Sequence, residues 1–355
     1  MNITTDLDQV SPDNGKPPEG YEWWYFDGIS HDGEFSFVII FYHENPFSTK
    51  KIKELQSEPA EIKSHPAISV SLYRNSKPVY YSFLEYDDKA FKWDPEQLSL
   101  KVEKNSFQYD LKKDRFTYEM KLDQSLPSGH SLKGSISGSG PLPEKTLLES
   151  KSKDRHLWNL ILPSLQFKTN LRLNGKDGEE EIISEGIGYH DHNIGYEPMK
   201  ESFKDWYWGR YHFRGFTLIY YLMEKHDNRQ FEAWLIDSEN QRVIEYLSEA
   251  ELDYKASNVF GLRSARKIDL KSPQVAVNII LRDKIDDGPF YQRFIGDSII
   301  KYKGQIHAAQ GISEYIYPKN VYNKFYWPLV HMRLNYTKDK AHWVQKSPLM
   351  YPWTW

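Results

Sequence analysis

The sequence predicts an all-β protein: two tandem antiparallel β-barrels or sandwiches followed by a short C-terminal extension. Three observations predict it. Short apolar–polar alternations recur along the chain, turn signals separate them, and a Trp-rich strand signature occurs twice.

The opening "MNITTDLDQVSPDNGKPPEG" is polar, contains Pro and Gly, and reads as a flexible lead-in over residues 1–20. It lacks the basic start and apolar core of a signal peptide. Strands follow in "FSFVIIFY" (Phe35 to Tyr42), "AISVSLY" (Ala67 to Tyr73), "KPVYYSFLEY" (Lys77 to Tyr86) and "DRFTYEMKL" (Asp114 to Leu122). Turn signals such as "HDG", "RNSK", "NGKDG" and "GSGP" separate the strands. Helices are few, and "STKKIKELQSE" (Ser48 to Glu58) is the best candidate.

The chain also echoes itself. "EWWYFDGISHDGEFSFVIIFY" from Glu22 and "DWYWGRYHFRGFTLIYYLM" from Asp205 share an acidic–Trp–aromatic opening, a small turn and an apolar strand. Each copy closes on a Gly-Ile strand, "EGIGYHD" from Glu185 and "QGISEYI" from Gln310. Domains are therefore expected at 21–200 and 201–320, with an aromatic-rich extension at 321–355. That extension reads first as a tail packed across the barrels. Its Trp, Tyr and Lys also suit a membrane interface.

Composition narrows the function. With 39% hydrophobic and 27% charged residues, the 355-residue chain suits a soluble globular protein. A net charge of −4 and no basic run beyond "KKDR" (Lys112 to Arg115) argue against nucleic acid as a partner. No cysteine is present, which excludes disulfides and thiolate chemistry. No apolar run approaches the ~18 residues of a membrane span, so a cytoplasmic protein is expected. Aromatic residues make up 15% of the chain. They suit strands in general, or the walls of a wide interior.

The densest chemistry lies in "GIGYHDHNIGYEPMKESFKDWYWGR" (Gly186 to Arg210). Strand parity puts Tyr189 and Asp191 on one face and His190 and His192 on the other. The same rule pairs His156 with Trp158 in "HLWNLILP". His190 and His192 could hold a metal with His156 or His212, yet H-x-H alone is a weak signal and no metal is expected. An Asp enclosed by apolar rings stays protonated at higher pH than the usual ~3.9, and so can act as a general acid. Neighbouring Tyr and Trp faces would steady a carbocation made by protonating an alkene. A one-residue slip would present the histidines instead. Glu22, Trp23, Trp24, Asp27, Asp205, Trp206, Trp208 and Arg210 of the repeated signature read mainly as residues that close each barrel.

The long stretch from Gly186 resembles the signature of the carotenoid 1,2-hydratase (hydroxyneurosporene synthase) family. "YEWWYFDGIS", "HPAISVSLY" and "HLWNLILP" fall in the order that family shows, over roughly residues 20 to 215. The resemblance implies a tandem lipocalin-like fold and cofactor-independent addition of water to the terminal 1,2-double bond of an acyclic carotenoid. It implies Asp191 as proton donor, Trp158 and Tyr189 flanking the cation, and His156 assisting proton or water handling. Trp24, Tyr25, His192, Asn193, Trp206 and Trp208 are the candidate substrate-contacting residues. His192 stands where the family has a less polar residue, and the extension beyond about 320 has no counterpart. Related folds include fungal Diels–Alderases, so the alternatives are a pericyclase and a non-catalytic carrier of polyenes or lipids. An apolar isoprenoid substrate implies peripheral membrane contact during loading; the oligomeric state stays open.

Overall fold

The structure, a computed structural model, describes all residues except 58–61, 113, 144–147, 149–153, 255–256 and 337–340. Glu58 of the expected helix and Lys113 of the basic run lie outside the described residues. Helix α1 spans Thr49–Ser57, and Ser48 caps it by accepting from the Lys51 amide at 3.1 Å.

The strands are β1 (Asn2–Thr4), β2 (Tyr21–Ser30), β3 (Phe35–Glu44), β4 (Ala67–Arg74), β5 (Lys77–Glu85), β6 (Phe91–Asp94), β7 (Ser99–Val102), β8 (Asn105–Leu111), β9 (Arg115–Ser125), β10 (Ser131–Pro141), β11 (His156–Gly175) and β12 (Gly178–Gly195). After α2 (Met199–Ser202) come β13 (Phe203–Phe213), β14 (Phe216–Lys225), β15 (Arg229–Asp237), β16 (Val243–Tyr246), β17 (Glu249–Tyr254), β18 (Ala265–Lys271), β19 (Val275–Asp287), β20 (Tyr291–Tyr302) and β21 (Gln305–Ile316). The chain ends with α3 (Trp327–Arg333), β22 (Asn335–Tyr336) and short 3-10 turns.

Two compact units result, Met1–Pro198 with Phe325–Trp355, and Met199–Lys324. In the first, the sheet runs β22-β5-β4-β3-β2-β12-β11-β10-β9-β8-β7-β6, with β1 beside β11. In the second it runs β16-β15-β14-β13-β21-β20-β19-β18-β17. The fold is the tandem all-β architecture that the strand pattern predicted, of the lipocalin-like kind that the family resemblance implies. The internal echo has a structural counterpart. The Trp-rich opener β2 hydrogen-bonds to the closer β12, and β13 hydrogen-bonds to β21 in the same antiparallel sense.

Sequence pattern decides how wet each strand is. β9 buries Phe116, Tyr118, Met120 and Leu122 and exposes Arg115, Glu119 and Lys121, as strict alternation requires. β12 alternates over its first half and is then buried at every position from Gly188 to Gly195. That second half is covered on both faces, which sets the stage for chemistry on either one. The first core is built largely from rings packed edge to face, such as Phe26 on Phe107 at 5.1 Å and on Tyr118 at 4.9 Å.

The first residues are not the flexible lead-in their polarity predicts. Asn2, Ile3 and Thr4 pair in parallel with Leu157, Trp158 and Asn159 of β11, and Met1, Ile3 and Val10 are buried. Buried polar side chains satisfy this segment's backbone, which composition does not reveal. The Asn159 carboxamide binds the Asp6 amide and the Asp6 and Gln9 carbonyls, and Glu22 binds the Asp13 amide. The C-terminal extension packs with the first unit. β22 adds to β5, and Tyr351 is fully buried within the first core.

Candidate active site

The site is built where β12 lies between β2 and β11. Close backbone approach explains the Gly-x-Gly that opens this stretch. A Cβ at Gly186 would sit 2.1 Å from the Ile29 carbonyl oxygen, and one at Gly188 2.4 Å from that of Asp27. Only glycine lets β12 come this near β2. On the other side β11 slips register between Leu160 and Leu165, so bulges bend the strand beside the site.

Strand parity then divides the residues. One face carries His190 and His192, opposite Phe26 and Trp24 on β2. It belongs to the packed core. The His190 ring stacks on Phe26 at 3.9 Å, donates from Nδ1 to the Tyr25 carbonyl at 2.8 Å and accepts from the Tyr109 hydroxyl at 2.7 Å. Burial pushes its pKa down to about 3, so the ring is neutral. His192 stacks on Trp24 at 4.3 Å, with Nδ1 on the Gln9 carbonyl and Nε2 on Glu22, both at 3.0 Å. Burial raises the Glu22 pKa, but hydrogen bonds from His192 and His43, the charge of His192 and the Lys16 ammonium outweigh it and hold the carboxyl well below the usual range. All four ring nitrogens of the H-x-H pair are thus engaged by protein groups. Among the described residues no group of three His, Asp or Glu side chains is placed to hold a metal ion.

The opposite face carries the acid. Asp191 is buried, and its Oδ2 accepts from the Trp158 indole Nε1 and from the Tyr189 hydroxyl, each at 2.7 Å. Its Oδ1 accepts from the Asn193 carboxamide at 2.6 Å. Tyr25, directly across the ladder from Asp191, packs edge-on against Tyr189 at 6.1 Å. Around Asp191 the face therefore gathers three donors, Trp158, Tyr189 and Asn193, and the rings of Trp158, Tyr189 and Tyr25.

The sequence places several other residues less well. His156 lies four positions before Leu160, the β11 partner of Asp191, which is about 13 Å along the strand. Its ring engages the Tyr21 hydroxyl at 2.8 Å and the Glu197 carboxylate at 3.3 Å, and burial pushes its pKa down to about 4. A third group that fixes the Asp191 carboxyl, beside Trp158 and Tyr189, is Asn193, which sequence reasoning named only as a substrate contact. Trp24 and His192, also named as substrate contacts, lie in the core on the far side of β2 and β12. Trp206 and Trp208 belong to the second unit. There the Trp208 indole donates to Glu314 at 2.8 Å, and Glu314 also accepts from Arg293 at 2.8 Å, so that acid is held in an ion pair.

Sequence reasoning missed a second carboxyl. Asp27, read as a barrel-closing residue, is fully buried on the Asp191 face opposite Tyr189 and accepts from the Tyr25 hydroxyl at 3.2 Å. Its i, i+2 spacing from Tyr25 was the available signal.

Known proteins resemble this chain in sequence and in fold. The hydroxyneurosporene dehydrogenase of Chlorobaculum tepidum is 28% identical over 342 residues, 90% of this chain and 88% of the relative. The acyclic carotenoid 1,2-hydratase of Thiocapsa roseopersicina is 22% identical over 278 residues, 78% of this chain and 64% of the relative. Among solved structures, CghA with Sch210972 shares the fold at a TM-score of 0.60 and 10% identity, over 84% of this chain and 89% of that one. The family described as carotenoid hydratase CrtC matches residues 56–342. With most of its length so matched, the chain belongs to the carotenoid hydratase family.

Proposed function

We propose that this hydro-lyase adds water to a carbon–carbon double bond of an apolar, acyclic carotenoid-like isoprenoid without a cofactor, with Asp191 as the proton donor. One observation carries the reading: a buried carboxyl held by Trp158, Tyr189 and Asn193 on a face rich in aromatic rings. Each carboxyl oxygen offers two lone-pair positions, and on Oδ2 both are filled by Trp158 and Tyr189. The transferable proton therefore sits on Oδ1. As it leaves for the less substituted alkene carbon, negative charge grows on the carboxylate. All three donors already point at it and bind the carboxylate more strongly than the acid. Positive charge grows on the neighbouring tertiary carbon, where the faces of Trp158, Tyr189 and Tyr25 stabilise it. Water then attacks that carbon, and its extra proton returns to Asp191, which restores the acid.

Heavy water tests this. Purified protein incubated with acyclic carotenoids and shorter polyprenyl substrates is expected to give products that gain water and one carbon-bound deuterium by mass spectrometry. Asp191→Asn is expected to lower turnover by at least ~10²–10⁴-fold while binding and folding persist. Retained turnover in that variant would remove Asp191 from the acid role. Deuterium without added water would instead mean that the cation is quenched internally.

A further inference from the structure

The C-terminal arm, 325–355, presents large apolar side chains to solvent while being firmly anchored. Trp343, Leu349 and Trp353 are 61%, 79% and 81% exposed. Among the described residues every large exposed Trp or Phe side chain falls in this arm, Phe325 being the third ring. These are not parts of a loose tail. Trp343 opens a 3-10 turn whose next two residues, Val344 and Gln345, are buried. Gln345 ties that turn to the His331 and Leu334 carbonyls, both at 3.0 Å. Trp353 stands between Tyr351, buried in the core, and Trp355, whose ring packs on His130 and Tyr80.

Charge separates the arm from the rest of the chain. It contains Arg333, Lys338, Lys340 and Lys346 against a single acid, Asp339, a net of +3, whereas the remainder of the chain carries −7. Lys346, three residues beyond Trp343, is itself exposed. Exposed Trp and Leu with the exposed Lys346 in the same segment match the chemistry of a bilayer's headgroup boundary, where indoles partition and anionic lipid attracts lysine.

We infer that the arm docks the protein peripherally on an anionic lipid surface, through Trp343, Leu349 and Trp353 with Lys346. The inference does not rest on the reaction proposed above, and its test reads binding without turnover. The full chain would be sedimented with vesicles of phosphatidylcholine alone and of phosphatidylcholine with phosphatidylglycerol. Binding is expected to the anionic vesicles, to fall with added salt, and to weaken by at least about tenfold in Trp343→Ser/Trp353→Ser. Lys346→Glu is expected to weaken binding to anionic vesicles alone. Circular dichroism would check that each variant stays folded. No binding to either vesicle, or binding unchanged in the folded double variant, would overturn the inference. Self-association abolished by the same substitutions, without vesicle binding, would assign the patch to a second copy of the chain and overturn it equally.

Discussion

Tyr189→Phe isolates the hydroxyl that faces Asp191. The substitution keeps the ring, its burial and its edge-on packing against Tyr25, and removes only the donor that reaches Oδ2 at 2.7 Å. A hydrogen bond to a neutral acceptor is worth about 0.5–1.5 kcal/mol and one to a charged acceptor about 1.5–3 kcal/mol. The difference, about 1–2 kcal/mol, is what the hydroxyl adds to the forming carboxylate beyond what it gives the starting acid. Lost from the barrier, that slows proton transfer about 5–30-fold. Because the ring is kept, KM is expected to hold while kcat falls. Single-turnover deuterium incorporation in heavy water measures the step directly. Trp158→Phe removes the second donor to the same oxygen, so a double-mutant cycle with Tyr189→Phe is expected to show coupling. A Tyr189→Phe enzyme that keeps kcat within twofold, or loses only KM, would refute the view that this hydroxyl stabilises the charge developing on Asp191.

Three further outcomes follow from the geometry. His156, held by Tyr21 and Glu197 about 13 Å along β11 from the partner of Asp191, is expected to leave water capture intact, so His156→Gln should keep the ratio of hydrated to merely exchanged product at the parent value; a fall in that ratio would return the water-handling role to His156. Burial pushes Glu85 up to about 7 from 4.5, so the folded protein holds this proton where the unfolded chain releases it. Stability from this group is therefore full below pH 4.5 and falls as pH rises to about 7, by roughly 3 kcal/mol, and unfolding free energies from urea titration should differ between pH 5 and 8 by about 2–3 kcal/mol less in Glu85→Gln than in the parent. Tyr351→Ala should cost about 3–5 kcal/mol in the first unit although only four residues follow it here, because it empties a fully buried site; a denaturation midpoint unchanged from the parent would show that the arm is not part of that core.

Much of the fold was legible in the chain. Alternation fixed the strands, and the repeated Glu/Asp-Trp opening with its Gly-Ile closing strand marked the two copies; that the opener hydrogen-bonds to the closer in each, β2 to β12 and β13 to β21, came from the structure. Period-two geometry alone put Tyr189 and Asp191 together and His190 and His192 apart, because strand parity is a local property. Other features are not local. Which face of β12 meets the packed core depends on what lies against it, and nothing in "GYHDHN" distinguishes a face that stacks on Phe26 and Trp24 from one that gathers donors around a carboxyl. Asn193 reaches Asp191 along the same strand, yet its role appears only once Trp158 arrives from β11 on the other side. His156 shares the parity of Trp158, but its place along the bulged strand takes it toward Tyr21 and Glu197. The polar first residues and the aromatic last ones find their places through partners more than 140 and 260 residues away, Asn159 for the first and Tyr80 for the last. The sequence by itself determined the strands, their tandem arrangement and the residue types of the site. The tertiary structure decided which face of β12 joins the packed core, which donors hold the Asp191 carboxyl, how the strands pair and how both chain ends are anchored, because those depend on long-range burial and hydrogen bonding that no local pattern encodes.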